Sequence, residues 1–223
     1  MSSAHTQDEQ GRDRACVSEP TQAPARPWTA APFPAPLTDD LRARRLHQEW
    51  RLIEELARAN PGIIEVVGRR SEARTDEFMI WLHQTPAIVN PAAALERCSH
   101  RVTFRFPRFF PSVPIEVYLA EAVFHPNTDP QTGFVCLWTR TSAGDTVMEA
   151  VRRLQQILSG KLFNLAADHL MQPAAGKWYE QRRTRPDSPL PLAFTAVREI
   201  AAFRLETSYR RPAKRPRRRL ERF

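Results

Sequence analysis

The chain has 223 residues, 42% apolar and 26% charged, the composition of one large globular domain or of a medium domain with tails. It holds no run of about 18 apolar residues, which excludes a membrane-spanning helix, and its first thirty residues, with Asp8, Glu9, Asp13 and Glu19 and no apolar core, are not expected to act as a secretory signal. The net charge of +8 is unevenly placed: residues 182–223 carry 13 basic and 4 acidic side chains, so residues 1–181, with 20 and 21, are close to neutral.

Residues 1–37 are rich in Pro, Ala, Thr and Gln and are expected to form a disordered or partly extended arm, in which Trp28 and Phe33 have the option of docking locally. Thr38-Asp39-Asp40 then reads as an N-cap cluster. Leu41, Leu46, Trp50, Ile53 and Leu56 follow at helical spacing, and Asn60-Pro61-Gly62 ends the helix. Four strands are expected next, over Ile63–Val67, Phe78–Leu82, Val102–Phe106 and Ile115–Leu119. Val102, Phe104 and Phe106 alternate with polar residues, as in a sheet with one wet face. The short connections favour an antiparallel meander. The longest, residues 84–99, is expected to hold a single turn at Ala92–Arg97.

Residues 120–144 show no periodicity. Asp145 is placed to cap a second helix, with Val147, Val151, Leu154 and Leu158 on one stripe and Gly160 at its end. Loose helical character over 164–181 is interrupted by Pro173, and 191–207 is a candidate helix through Leu192, Val197, Ile200 and Phe203. The expected organisation is an α+β domain over 38–181 and an Arg/Pro-rich extension over 182–223. Three cysteines do not make a disulfide framework, so a reducing, cytoplasmic setting is expected, with Cys98 an inert packed thiol and Cys16 without a role.

Cys136 stands in a loop three residues after Gly133, where its sulfur has access to solvent. A thiol there can accept an acyl group as a thioester, which an amine then attacks. The oxyanion of that step needs a neutral donor, and the side-chain amide of Asn127 has the right chemistry. In chain order stand Phe106-Pro107, Phe110-Pro111-Ser112-Val113-Pro114, His125-Pro126-Asn127 and Gly133-Phe-Val-Cys136-Leu137. This series, behind one helix and four strands and ahead of another helix, resembles the ubiquitin-conjugating enzymes, over about Leu41 to Tyr179.

The resemblance implies the family's α+β fold: an N-terminal helix, a four-stranded meander, an active-site loop and C-terminal helices. It implies that Cys136 carries a ubiquitin-like protein as a thioester received from an activating enzyme and passes it to a lysine of a protein target. In that scheme Asn127 stabilises the oxyanion, and His125, Pro126 and Gly133 hold the active-site loop. Asp168, or failing that Asp145, helps the incoming amine. No metal or organic cofactor is implied. The loop and the segment Pro173–Tyr179 look most like the stand-alone bacterial members, which are encoded with a ubiquitin-like protein, an activating enzyme and a metalloprotease, often in antiphage defence. The chain departs from the family where Thr141-Ser142-Ala143 stands in place of Trp-Ser-Pro, with Trp138 just after the Cys-Leu, and where Ser112 replaces an aromatic residue that contacts ligases.

Four other readings stay open. A non-catalytic module of the same fold would bind a ubiquitin-like protein without using the cysteine. A thiol hydrolase would pair Cys136 with His125 or His169. A zinc site would draw on Cys98, His100, His125 and Cys136, at spacings that fit none of the close-paired patterns. The Arg-rich tail could hold nucleic acid in a salt-sensitive way, although its prolines favour a solvated extension.

Overall fold

The computed structural model describes residues 28–29, 40–72, 75–140, 142 and 144–200; most of the N-terminal arm, with Cys16, and the Arg/Pro tail from residue 201 lie outside them. Helix α1 (Leu41–Ala59) starts at Asp40, whose side chain accepts the Arg42 N–H at 2.9 Å. Its buried stripe is Leu46, Trp50, Leu52, Ile53 and Leu56. Leu41, included in the stripe on spacing, is exposed at the helix's first position, before the turn that reaches the sheet.

Seven strands follow: β1 (Ile64–Glu72), β2 (Thr75–Leu82), β3 (Ala87–Asn90), β4 (Leu95–Arg97), β5 (His100–Phe106), β6 (Glu116–Leu119) and β7 (Phe134–Val135). The main sheet is antiparallel in the order β1-β2-β5-β6-β7, so the expected meander is present with a fifth, two-residue strand at its edge. In β5, His100, Val102, Phe104 and Phe106 are buried while Arg101, Thr103 and Arg105 face outward, the alternation of a half-covered sheet. Phe78 lies opposite Phe104 and meets Trp50 edge-on at 5.0 Å, which seats α1 on the sheet. Each such fully buried side chain contributes about 1.5–3 kcal/mol.

Where a helical turn was expected at 92–97, the chain makes a hairpin. β3 pairs with β4, and Asn90 Oδ1 accepts the N–H groups of Ala92 and Ala93, locking the reversal. Just beyond it, Cys98 is disulfide-bonded, which corrects the expectation of an inert free thiol.

Helix α2 (Val147–Leu158) is capped by Thr146, not by Asp145 as expected. The Thr146 hydroxyl accepts the Glu149 N–H, while Asp145 accepts from Ser142 N and closes the preceding turn. A second cap comes from α1: buried Glu49 accepts the Val147 N–H at 2.7 Å and pairs with Arg45, whose guanidinium also donates to Asp145 O. Helix α3 (Pro173–Arg183) begins at Pro173 instead of being broken there, because the first helical position needs no N–H.

The described part of the expected 191–207 helix, residues 191–200, is not helical. It runs over the domain with Leu192 and Val197 buried. Gln155 of α2 donates to Thr195 O and accepts from Val197 N, and Asn60 donates to Arg198 O and accepts from Arg198 N. Packing therefore continues past residue 181. At the other end, Thr29 exchanges both backbone hydrogen bonds with Arg69 (3.1 and 2.9 Å), and Arg70 lies over the Trp28 ring. Among the described residues no helix is long and apolar enough to cross a membrane.

Candidate active site

The distance in sequence between His125 and Cys136 is taken up by a tight reversal. Asp129 Oδ1 accepts the Gln131 N–H, its Oδ2 accepts the Thr132 hydroxyl, and its backbone carbonyl accepts the Gly133 N–H. Gly133 has φ +74°, and a Cβ there would collide with the Leu119 carbonyl oxygen. Glycine is thus required both for the left-handed turn and for the close approach that lets β7 join β6. The reversal brings Thr128 opposite Val135 and lets the Cys136 N–H donate to Asn127 O at 2.8 Å.

His125 is buried, and its Nδ1 accepts the Asn127 N–H at 3.1 Å. Burial takes its pKa down to about 3, so the ring is neutral. Its edge-on contact with Tyr179 of α3, 5.0 Å between centroids, fixes the ring plane. Pro126 offers its carbonyl to the N–H groups of Met171 and Gln172, and Gln172 Nε2 donates to Val123 O and Thr128 O. Residues 164–172 are thereby laid along the 123–128 segment.

Asn127 is 2% exposed and makes the central link between these two segments. Its Nδ2 donates to Asn164 O at 2.6 Å and to His169 O at 2.9 Å, and its Oδ1 accepts the Asn164 N–H at 2.7 Å. Both amide hydrogens are engaged by carbonyls, so the oxyanion role expected of Asn127 has no free donor in this arrangement. What the side chain does here is hold the 164–169 loop.

That loop carries His169, whose Nδ1 lies 3.0 Å from Cys136 Sγ. Asp168 Oδ2 is 3.5 Å from the other ring nitrogen, Nε2, with the Asp168 side chain 77% exposed. Cys136 is a free, partly exposed cysteine. Desolvation, followed by the negative charge of Asp168, pushes its thiol pKa above the ordinary range. At neutral pH the sulfur is therefore a thiol, with Nδ1 of His169 within hydrogen-bond distance of it and Nε2 on the side of Asp168. On the other side, Arg153 of α2 donates to Leu137 O and covers the Trp138 ring, while the Trp138 indole N–H donates to Ile115 O.

The structure brings together Cys136, Asn127, His125, Pro126, Gly133 and Asp168 in one loop cluster; Asp145 lies in the turn before α2. His125 does not fit a thiol hydrolase pair, since its Nδ1 is engaged by Asn127 N and it is buried; His169 fits one. Among the described residues no three His, Cys, Asp or Glu side chains gather to hold a metal ion, and disulfide-bonded Cys98 is not available as a zinc ligand. The link between Cys136 and His169 was visible in sequence only as one option for the rival hydrolase.

No protein-family model and no curated protein sequence matches the chain. Among solved structures, it is similar to a chain described as a ubiquitin conjugating enzyme from Trypanosoma cruzi, at 14% identity and a TM-score of 0.44, over 66% of this chain and 95% of that one. It is likewise similar to S. cerevisiae Ubc12, at 16% identity and a TM-score of 0.44, over 64% of this chain and 74% of that one. The solved structures to which the chain is similar therefore include ubiquitin-conjugating enzymes, at low identity.

Proposed function

We propose that the protein is a ubiquitin-conjugating-like carrier. Cys136 attacks the thioester that joins a ubiquitin-like protein to its activating enzyme. The new Sγ–C bond forms, the old S–C bond breaks, and the activating enzyme's thiol leaves with the displaced electron pair. A lysine amine of the target then attacks the same carbon, the bond to Cys136 breaks, and an amide results. The single observation that carries this reading is a free, partly exposed thiol tied through its backbone N–H to Asn127 of the His125-Pro126-Asn127 segment. Asn127 serves as a positioning residue, with His125, Pro126 and Gly133 supporting the loop. The bacterial and antiphage setting belongs to the same proposal, whereas the disulfide at Cys98 removes the ground on which a reducing, cytoplasmic setting was expected.

The test is charging with an activating enzyme and a ubiquitin-like protein encoded beside this chain. The expected product is an adduct that thiol reductant removes, that Cys136→Ala abolishes, and that free lysine discharges. An adduct unaffected by Cys136→Ala, or none at all, defeats the reading.

A second reading draws on the Cys136–His169 contact at 3.0 Å: a thiol hydrolase that cleaves a ubiquitin-like protein's C-terminal bond. It requires many turnovers on a C-terminal coumarylamide of that protein, whereas a carrier gives none beyond stoichiometric acylation.

A further inference from the structure

We propose that His169 is a catalytic residue of this site: its Nδ1 takes the Cys136 proton as the sulfur bonds to an acyl carbon, with Asp168 as the positioning residue behind it. The assignment rests on the reading of Cys136 as the reacting thiol and adds to it the group that makes a neutral thiol reactive. His169 Nδ1 is 3.0 Å from Sγ, within reach of direct proton transfer. Its Nε2 faces Asp168 Oδ2 at 3.5 Å, so the carboxylate orients the ring with Nδ1 toward the sulfur. The ring is held by its own backbone: His169 O accepts from buried Asn127, and its N–H donates to Ala166 O.

The charged and titratable groups around the pair are few. Asp168 adjoins it on the same loop, Arg153 of α2 reaches Leu137 O beside Cys136, and His125 behind Asn127 is neutral. The thiol itself is held protonated by burial and by Asp168, so attack from a pre-formed thiolate is disfavoured. The proton must leave as the Sγ–C bond forms, and His169 is the acceptor in contact with it. In the full step, Sγ–C forms, the bond from carbon to the leaving group breaks, the proton moves from Sγ to Nδ1, and solvent then takes it from the imidazolium.

p-Nitrophenyl acetate supplies a test that needs no protein partner. It acetylates Cys136 with release of p-nitrophenolate, which absorbance follows, and intact mass locates the acetyl group. His169→Gln keeps a hydrogen-bonding side chain but no usable base, and the backbone bonds of residue 169 remain. Its acetylation at pH 7 is expected to fall roughly a hundredfold. The deficit should close at alkaline pH, where the thiolate forms unaided, and added imidazole should restore much of the rate in His169→Ala. Iodoacetamide, which reports the thiolate alone, should label wild type and His169→Gln at similar rates at pH 7.

Equal acetylation of wild type and His169→Gln at pH 7 overturns the proposal, as does a deficit of the same size at every pH with no rescue by imidazole. Carrier function fails separately: an acetyl-enzyme with the full His169 signature in a protein that never charges with a ubiquitin-like protein leaves His169 assigned and removes the carrier reading.

Discussion

At Cys136 the local electrostatics oppose ionisation, since partial burial and the Asp168 carboxylate both raise the thiol pKa. Asp168 is mostly exposed, so water screens its influence. Replacing it with asparagine removes one of the two causes, and Asp168→Asn is expected to label with iodoacetamide up to about threefold faster than wild type at pH 7. A slower rate would show that Asp168 promotes the thiolate, contrary to the sign argued here. Much of this site was legible in the sequence. The ordered motifs pointed to Cys136 and placed His125, Asn127 and Gly133 beside it. The partner of Asn127 was not legible: an asparagine after proline offers the same amide to an oxyanion or to two carbonyls, and only the fold of 164–169 decides. His169 was offered by the sequence only as one of two partners in a thiol hydrolase, because its contact with Cys136 spans 33 residues with α2 between them and no spacing rule selects it.

At the level of elements, the segment after α3 shows how side-chain amides can do the work of a neighbouring strand. Gln155, 1% exposed on α2, donates to Thr195 O and accepts from Val197 N, while also donating to the Thr85 hydroxyl. Gln155→Ala leaves the Val197 N–H and the Thr195 carbonyl without this partner, so a loss of about 2–4 kcal/mol is expected from chemical unfolding. Faster amide exchange at Val197 should accompany it, and an unchanged exchange rate would mean that Leu192 and Val197 hold the segment by packing alone. Helical spacing misled here because Leu192, Val197 and Ile200 satisfy a 3.6-residue repeat, yet residues 191–200 run without helical structure. Gln155 and Asn60, which decide the matter, look in sequence like ordinary polar positions of α2 and of a helix end. The main helices and four strands were readable because their apolar period matches their own packing faces. The β3–β4 hairpin was not, since a run of alanines after Asn90-Pro91 reads as a helical turn.

For the molecule as a whole, two buried imidazoles set the response to acid. His100 donates its Nε2–H to Thr85 O and is held at about pKa 4, and His125 is held at about 3, each by burial. In the unfolded chain both return to about 6.5. Below that pH the unfolded state binds protons that the folded state refuses, so stability is complete above about pH 6.5 and falls as pH is lowered toward 4. With both rings contributing, the slope approaches about 2.7 kcal/mol per pH unit. Glu49, whose carboxyl burial raises, works in the opposite sense and softens the fall. Urea unfolding between pH 7 and 4 measures the slope, and a flat profile would show that the two rings are solvated before global unfolding. The same scale recasts the net charge of +8: the excess of cations belongs to residues 182–223, and the domain that holds Cys136 is near neutral.

The pairing of Thr29 with Arg69 has a practical consequence for handling the molecule. Strand β1 is the outer edge of the main sheet, and an incoming strand from another molecule would need its free N–H and C=O groups in continuous register. Thr29 occupies that edge at Arg69, next to the irregularity at Val66/Gly68, and so interrupts the template along which fibres would nucleate. The guard lies eleven residues ahead of Asp40, in a stretch that looks dispensable. A protein trimmed to the start of its first helix would uncover the edge along which it can stack.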